Sequence, residues 1–195
     1  MIASHDSFTY LEPKHKFWKI FTKFWRCQDK DVLQQYGLGV RYFDIRVCRH
    51  ETKDFDEEWI LCHGLVNLDK SFSSLRDLCH YFETVMKGSR YRIILEKGNS
   101  DDIEIFKEEM SNIAGVYNGL SWVVTKKPWE TIYAKSDHPE IIDCTFKGWN
   151  LKNLFNIIFR KPIKVYSKKA NEFIEDEHRD DPNTVYFLDY ATDAL

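Results

Sequence analysis

GVRYFDIRV, residues 39–47, is the stretch on which the fold turns. It is rich in β-branched and aromatic residues and begins with a glycine, which reads as a strand. Strand side chains alternate, so Asp44 and Arg46 share one face, while Phe43, Ile45 and Val47 share the other. One face suits packing against helices; the other carries charge. Immediately upstream, KFWKIFTKFWRCQDKDVLQQYG (16–37) reads as a helix that Gly37 stops. Before it, MIAS (1–4) is a short apolar run. The chain is therefore strand, helix, strand from its first residues.

The alternation continues downstream. HETKDFDEE (50–58) is a charged loop and WILCHG (59–64) the next strand. SFSSLRDLCHYFETVMKG (71–88) is a helix that Ser71 or Ser73 can cap and Gly88 ends. YRIILEKG (91–98) is a strand, and SDDIEIFKEEMSNI (100–113) a helix with acidic residues in its first turn. SWVVT, EIIDCTF, PIKVYS and NTVYFLDY read as further strands, with NLKNLFNIIF and KKANEFIEDEH as helices between them. About eight strands alternating with helices imply an α/β fold of parallel β-α units. The expectation is a small (β/α)8 TIM-type barrel, distorted or incomplete in its second half, with residues 1–195 as a single catalytic barrel domain. An open doubly wound sheet would carry a glycine-rich phosphate loop after an early strand, and the chain has none.

Composition narrows the function. With 195 residues and 43% hydrophobic content there is enough for one full core. A net charge of -3 and a pI near 6.2 argue against a nucleic-acid partner. Five cysteines without a CxxC pair argue for reduced thiols rather than a zinc site or a disulfide framework. No run is long and apolar enough to span a membrane. The absence of a leader sequence points to a cytoplasmic protein, with peripheral membrane contact or release by lysis compatible with it. A monomer is expected.

Barrel enzymes place their chemistry at the carboxyl ends of strands. His5 and Asp6 end the first strand, Asp44 and Arg46 the second, His63 the third, Glu96 and Lys97 the fourth, and Asp189 the last. Each alone has an ordinary structural reading, as a rim ion pair, a cap or a solvated end. Together, two histidines, two aspartates and an arginine are the groups in-line phosphoryl transfer needs. It takes a base for the nucleophile, a cation for the phosphate oxygens and an acid for the leaving oxygen.

These residues sit in segments with a family likeness. ASHDSFTY, CQDKDVLQQYGLGVRYFDIRV, CHGLV and RIILEKGNSDD resemble, in order and spacing, the catalytic X region of phosphatidylinositol-specific phospholipases C, and VYFLDY resembles that family's closing strand. The likeness is strong over residues 1 to about 100. It implies His5 as general base toward the inositol 2-hydroxyl, supported by Asp189, and His63 as general acid, paired with Asp6. Arg46 stands where calcium-dependent members carry a carboxylate, which implies the bacterial metal-independent type, with no cofactor and no metal. Asp44 would hold the guanidinium, and Asp44, Glu96 and Lys97 would line the substrate site. The family's fifth strand is not recognisable; Lys126, Lys147, Trp149 and Arg160 are candidates to replace its inositol contacts.

The segment KHKFWKIFTKFWR (14–26) mixes cations with aromatics, a composition suited to the membrane interface. Trp18 and Trp25 are the expected membrane contacts, with Ile20, Phe21 and Phe24 packing inward. The implied reaction yields cyclic inositol phosphate and diacylglycerol from a phospholipid substrate. Two alternatives are the same chemistry on another phosphodiester and an inactive module that binds lipid or a glycan anchor.

Overall fold

A computed structural model describes residues 2–51, 57–117, 119–127, 130–135, 140–143, 184–189 and 191. Its contacts fall into two compact units, one from residues 1–10, 16–43 and 138–195, the other from 11–15 and 44–137. No helix among the described residues is long and apolar enough to cross a membrane.

The first unit is built on parallel pairing. Strand β1 (Ile2–Ser4) lies between the start of β2 (Tyr42–Glu51) and β9 (Thr184–Leu188), and β8 (Glu140–Asp143) flanks β9. The register places Ala3 against Tyr42 and Phe187, and Ser4 against Phe43 and Leu188. Ala3, Tyr42, Phe43 and Leu188 are all fully buried. Ala3 and Ser4, which point to opposite faces, are both fully buried, so β1 is covered on its two sides.

The segment 16–37 is not one helix. It is a 3₁₀ turn, Lys16–Phe21, a single α turn α1 (Thr22–Trp25), an irregular stretch, and α2 (Val32–Gly37). The interruption has a local cause. The backbone N–H groups of Cys27 and Gln28 both donate to Thr9 Oγ1, each at 2.9 Å, and so leave the helical ladder. Asp31 then starts a new helix as a capping box with Gln34. Buried Gln35 holds α2 to the loop after β1 by donating to Ser7 O at 2.9 Å, and it also donates to Lys30 O at 2.7 Å.

The second unit is a mixed α/β layer. The remainder of β2 pairs antiparallel with β3 (Glu57–His63), and β3 with β4 (Val66–Phe72), so two hairpin steps replace the expected β-α alternation. The turn between β3 and β4 has only Gly64 and Leu65 between the paired residues His63 and Val66. Gly64 takes φ +56°, which the first central residue of a II′ hairpin requires. The segment 66–72 is thus a strand, and the helix expected over 71–88 is α3 (Leu75–Val85). Its cap is Ser74, which accepts from Asp77 N, while Ser73 donates to the Asp77 carboxylate. Strand β5 (Arg90–Lys97) pairs in parallel with β6 (Leu120–Lys127), and β6 antiparallel with β7 (Glu130–Lys135), a strand the sequence pattern did not announce.

Helix α4 (Ser100–Ile113) matches its expected span. Asn99 caps it by accepting from Asp101 N and Asp102 N, and Phe106, Met110 and Ile113 line its buried face. Phe106 stands edge-on to Trp59 and Trp122, which joins α4 to β3 and β6. Glu109 on the same helix accepts from Trp59 Nε1 at 3.1 Å and from Leu75 N at 3.2 Å. The expected elements 150–159, 162–167 and 168–178, and the end of the strand expected over 140–146, lie outside the described residues.

Asn99→Ala removes the acceptor for two α4 N–H groups. It should lower unfolding free energy by about 1 kcal/mol in a denaturant titration, with helical content at zero denaturant unchanged.

Candidate functional site

His5 and Asp6 leave β1 in a tight turn, and Asp6 adopts φ 45°, a left-handed conformation uncommon for a residue with a side chain. The parallel register of β1 with β9 brings His5 to Asp189, one residue past β9. His5 Nδ1 lies 2.8 Å from Asp189 Oδ1, across 184 positions of sequence. His5 Nε2 faces Asp6 Oδ2 at 3.4 Å. Asp6 and Asp189 are buried, while the His5 side chain keeps 16% exposure.

Gln28 supports this cluster, and its role was not foreseen. It is fully buried, and its Nε2 donates to His5 O and Leu188 O, each at 2.9 Å. Its Oε1 accepts from Ala191 N at 3.1 Å. One amide therefore ties the backbone beside the imidazole to the backbone beside its carboxylate partner. The sequence signal was weak: a glutamine inside a segment that reads as polar helix surface.

In the second unit the charged face of β2 meets β5. Arg46 NH1 donates to Glu96 Oε1 at 2.6 Å, and Arg46 Nε lies 3.5 Å from Asp44 Oδ2. Asp44 Oδ1 accepts from Arg92 Nε at 2.9 Å, so Asp44 serves two guanidinium groups. Arg92 was not among the expected site residues, although it shares a face of β5 with Ile94 and Glu96 by alternation. The other Glu96 oxygen accepts from Gly64 N at 2.8 Å and lies 3.8 Å from Cys62 Sγ. Glu96 thus anchors both Arg46 and the hairpin tip that carries His63. Burial alone would push the Glu96 carboxyl up. The charges of Arg46 and His63, with the hydrogen bonds from Arg46 and Gly64, outweigh it and hold the group below its ordinary range. Lys97 Nζ donates to Asn67 Oδ1 at 2.6 Å.

Two expectations need correction. Asp44 and Arg46 do not end their strand, because the antiparallel partner β3 carries β2 on to Glu51. Trp25 does not face outward: it is 6% exposed and its Nε1 donates to Trp18 O at 3.1 Å. Trp18 is half-buried, and the outward apolar residues are Phe17, Ile20 and Phe21, with Ile20 75% exposed. Of the candidate inositol contacts, Lys147, Trp149, Arg160 and the side chain of Lys126 lie outside the described residues.

Comparison with known proteins gives a consistent picture. No protein-family model matches the chain. A 1-phosphatidylinositol phosphodiesterase of Staphylococcus aureus (strain Newman) is 29% identical over 107 residues, a match that covers 54% of this chain and 31% of that protein. The chain therefore matches about a third of the length of this curated relative. Among solved structures, the phosphatidylinositol-specific phospholipase C of Listeria monocytogenes superposes with a TM-score of 0.62 at 14% identity, covering 97% of this chain and 87% of that one. The S. aureus enzyme, in a structure concerned with its membrane binding, gives 0.59 at 16% identity, over 97% and 85%. The chain resembles the bacterial phosphatidylinositol-specific phospholipases C and shares their fold.

Removing the Glu96 carboxylate leaves Arg46 and the Gly64 N–H without their acceptor. Glu96→Ala should cost about 3–5 kcal/mol, the range for breaking a buried ion pair, measured by denaturant unfolding. The pH dependence has a definite sign. The folded-state pKa is lowered, so the stabilisation is complete above the ordinary glutamate value of about 4.3 and is lost as pH falls through the lower folded value. The stability gap between wild type and Glu96→Gln should therefore narrow on acidification from neutral pH.

Proposed function

We propose that this chain cleaves a phosphodiester by attack of a neighbouring hydroxyl, with phosphatidylinositol as substrate and cyclic inositol phosphate and diacylglycerol as products. The observation that carries the reading is the 2.8 Å contact between His5 Nδ1 and Asp189 Oδ1. An ionised carboxylate only accepts, so Nδ1 holds the ring proton and the Nε2 lone pair is left for base chemistry. In this reading Nε2 takes the proton of the inositol 2-hydroxyl, and Asp189 stabilises the imidazolium that forms. Gln28 keeps the two in register.

Arg46 supplies positive charge to the non-bridging phosphate oxygens as the transition state develops. Its NH1 is committed to Glu96, and that commitment orients the rest of the guanidinium before substrate arrives. Preorganised charge of this kind needs no rearrangement during the reaction. His63 gives the proton to the departing diacylglycerol oxygen, with Asp6 as its carboxylate partner. Asp44 holds Arg46 together with Arg92, and Lys97 serves the sugar. The architecture this reading expects is the small (β/α)8 barrel, acting as one catalytic domain. Phe17, Ile20 and Phe21, among Lys14, Lys16 and Lys19, are the residues we assign to contact with a lipid surface.

The test is turnover of phosphatidylinositol micelles and of soluble cyclic inositol phosphate. His5→Ala and His63→Ala should each lose about 10²-fold or more in kcat, with a bell-shaped pH profile in the parent. Arg46→Lys should stay badly impaired, because a point charge cannot reproduce the planar fork. Chelator should leave the parent active. Loss of activity in chelator with recovery on calcium would overturn the assignment of Arg46. Mild losses in both histidine variants would favour a lipid-binding module.

A further inference from the structure

We infer that His5, Asp6 and Cys27 form a binding site for a zinc-class divalent cation, which silences His5 when occupied. Donor atoms of the three side chains all lie within 4.8 Å of one another. Asp6 Oδ2 is the hub, 3.4 Å from His5 Nε2 and 3.8 Å from Cys27 Sγ. Zinc bonds of about 2.0–2.3 Å to N, O and S in a tetrahedron put neighbouring ligand atoms about 3.3–3.7 Å apart. The two spacings at the Asp6 hub, 3.4 and 3.8 Å, fall close to that figure, and the His5–Cys27 pair lies within 4.8 Å, so an adjustment of about 1 Å at most completes the tetrahedral edge.

A second feature is independent of the spacing. Metal-bound histidines characteristically donate their other ring N–H to a carboxylate, which fixes the tautomer and raises the basicity of the ligating nitrogen. His5 meets that condition through Nδ1 and Asp189. The left-handed backbone of Asp6 adds a third feature, since φ 45° is a conformation that surrounding structure must impose. Two groups hold the third ligand in place: the Cys27 backbone N–H donates to Thr9 Oγ1, and its Sγ lies 3.7 Å from Trp25 O.

The binding step balances simply. The Cys27 thiol releases one proton and becomes a thiolate ligand, His5 binds through the neutral Nε2, and Asp6 binds as carboxylate. The site gains a dication, gives up one proton, and keeps its fourth position for water. Neither oxidant nor reductant is involved. Cys27 has no part in the proposed cleavage, so the metal would act by occupying the nitrogen that otherwise takes the proton. The consequence for activity rests on the function proposed above; the binding itself does not.

Cobalt(II) is the probe, because a thiolate ligand gives it an intense near-ultraviolet charge-transfer band. Titrating the full chain with cobalt(II) should produce that band with saturation at one equivalent, and zinc should bleach it. Cys27→Ser should lose the band, whereas Cys48→Ser should keep it. Asp189→Asn should keep the band and weaken binding by about 10–100-fold, as removal of a histidine's carboxylate support does. If Cys27→Ser proves unfolded by circular dichroism, His5→Ala at its partly exposed position takes its place and should weaken binding at least as much as Asp189→Asn. No band in the parent, a band that survives Cys27→Ser, or affinity unchanged in His5→Ala would each overturn the site.

Discussion

The first unit depends on the parallel pairing of residues 2–4 with residues 186–188. Parallel strands cannot be joined by a tight turn, so the pairing must recruit segments far apart in sequence and pay the entropy of closing a long loop. Buried apolar side chains at Ala3, Phe43 and Leu188 offset that cost. Gln28 adds a specific lock, since one side chain donates to His5 O and to Leu188 O, which also accepts from His5 N, and accepts from Ala191 N. His5 and Asp189 meet because their strands do. The same register that builds the sheet also sets the Asp189 carboxylate against Nδ1 of the imidazole.

The second unit faces a different constraint, the cost of burying charge. Asp44 and Glu96 are almost fully buried, and a carboxylate in such surroundings survives only with cations and N–H groups about it. The chain meets this with an alternating series in which Arg92 binds Asp44, Asp44 approaches Arg46, and Arg46 binds Glu96. The Gly64 N–H donates to the other Glu96 oxygen. Such a series is rigid, because moving any one member strands its neighbours. The phosphate-binding role proposed for Arg46 draws on that rigidity. The series also couples a hairpin tip, and the histidine beside it, to the strand that carries the arginine.

Reading strands from residue type succeeded where the strands are parallel and buried. Residues 2–4, 42–47, 91–97 and 121–125 are rich in apolar, aromatic and β-branched residues, with charge confined to particular positions such as Asp44, Arg46, Arg92 and Glu96, and all are strands. The reading failed at 66–72, where VNLDKSF buries Val66 and Leu68 on one face and carries Asp69 and Ser71 outward on the other. A hairpin strand with one wet face has half the apolar signal. It failed again at 16–37, where helical spacing of aromatics concealed a chain break imposed by Thr9, a residue outside the segment. Ile20 lies in the 3₁₀ turn and Trp25 ends the single α turn before that break; the first is exposed and the second buried.

Residue types and their order single out His5, Asp6, Asp44, Arg46, His63, Glu96, Lys97 and Asp189 as ionisable groups set in or beside apolar strands, where such groups are costly and stand out. They were enough, too, to make α/β the fold class, since helical and strand periodicities alternate along the chain. Partnership was beyond them. The family likeness implied that Asp189 supports His5, and the 2.8 Å contact agrees with it; that Glu96 rather than Asp44 holds Arg46 most closely, and that Gln28 and Arg92 belong with them, follow from register and turns. So does the approach of Cys27 to His5 and Asp6, which no cysteine spacing in the chain announces. A hydrogen bond depends on distance and angle at the scale of tenths of an ångström, and a linear sequence holds no distances between residues that only folding brings together.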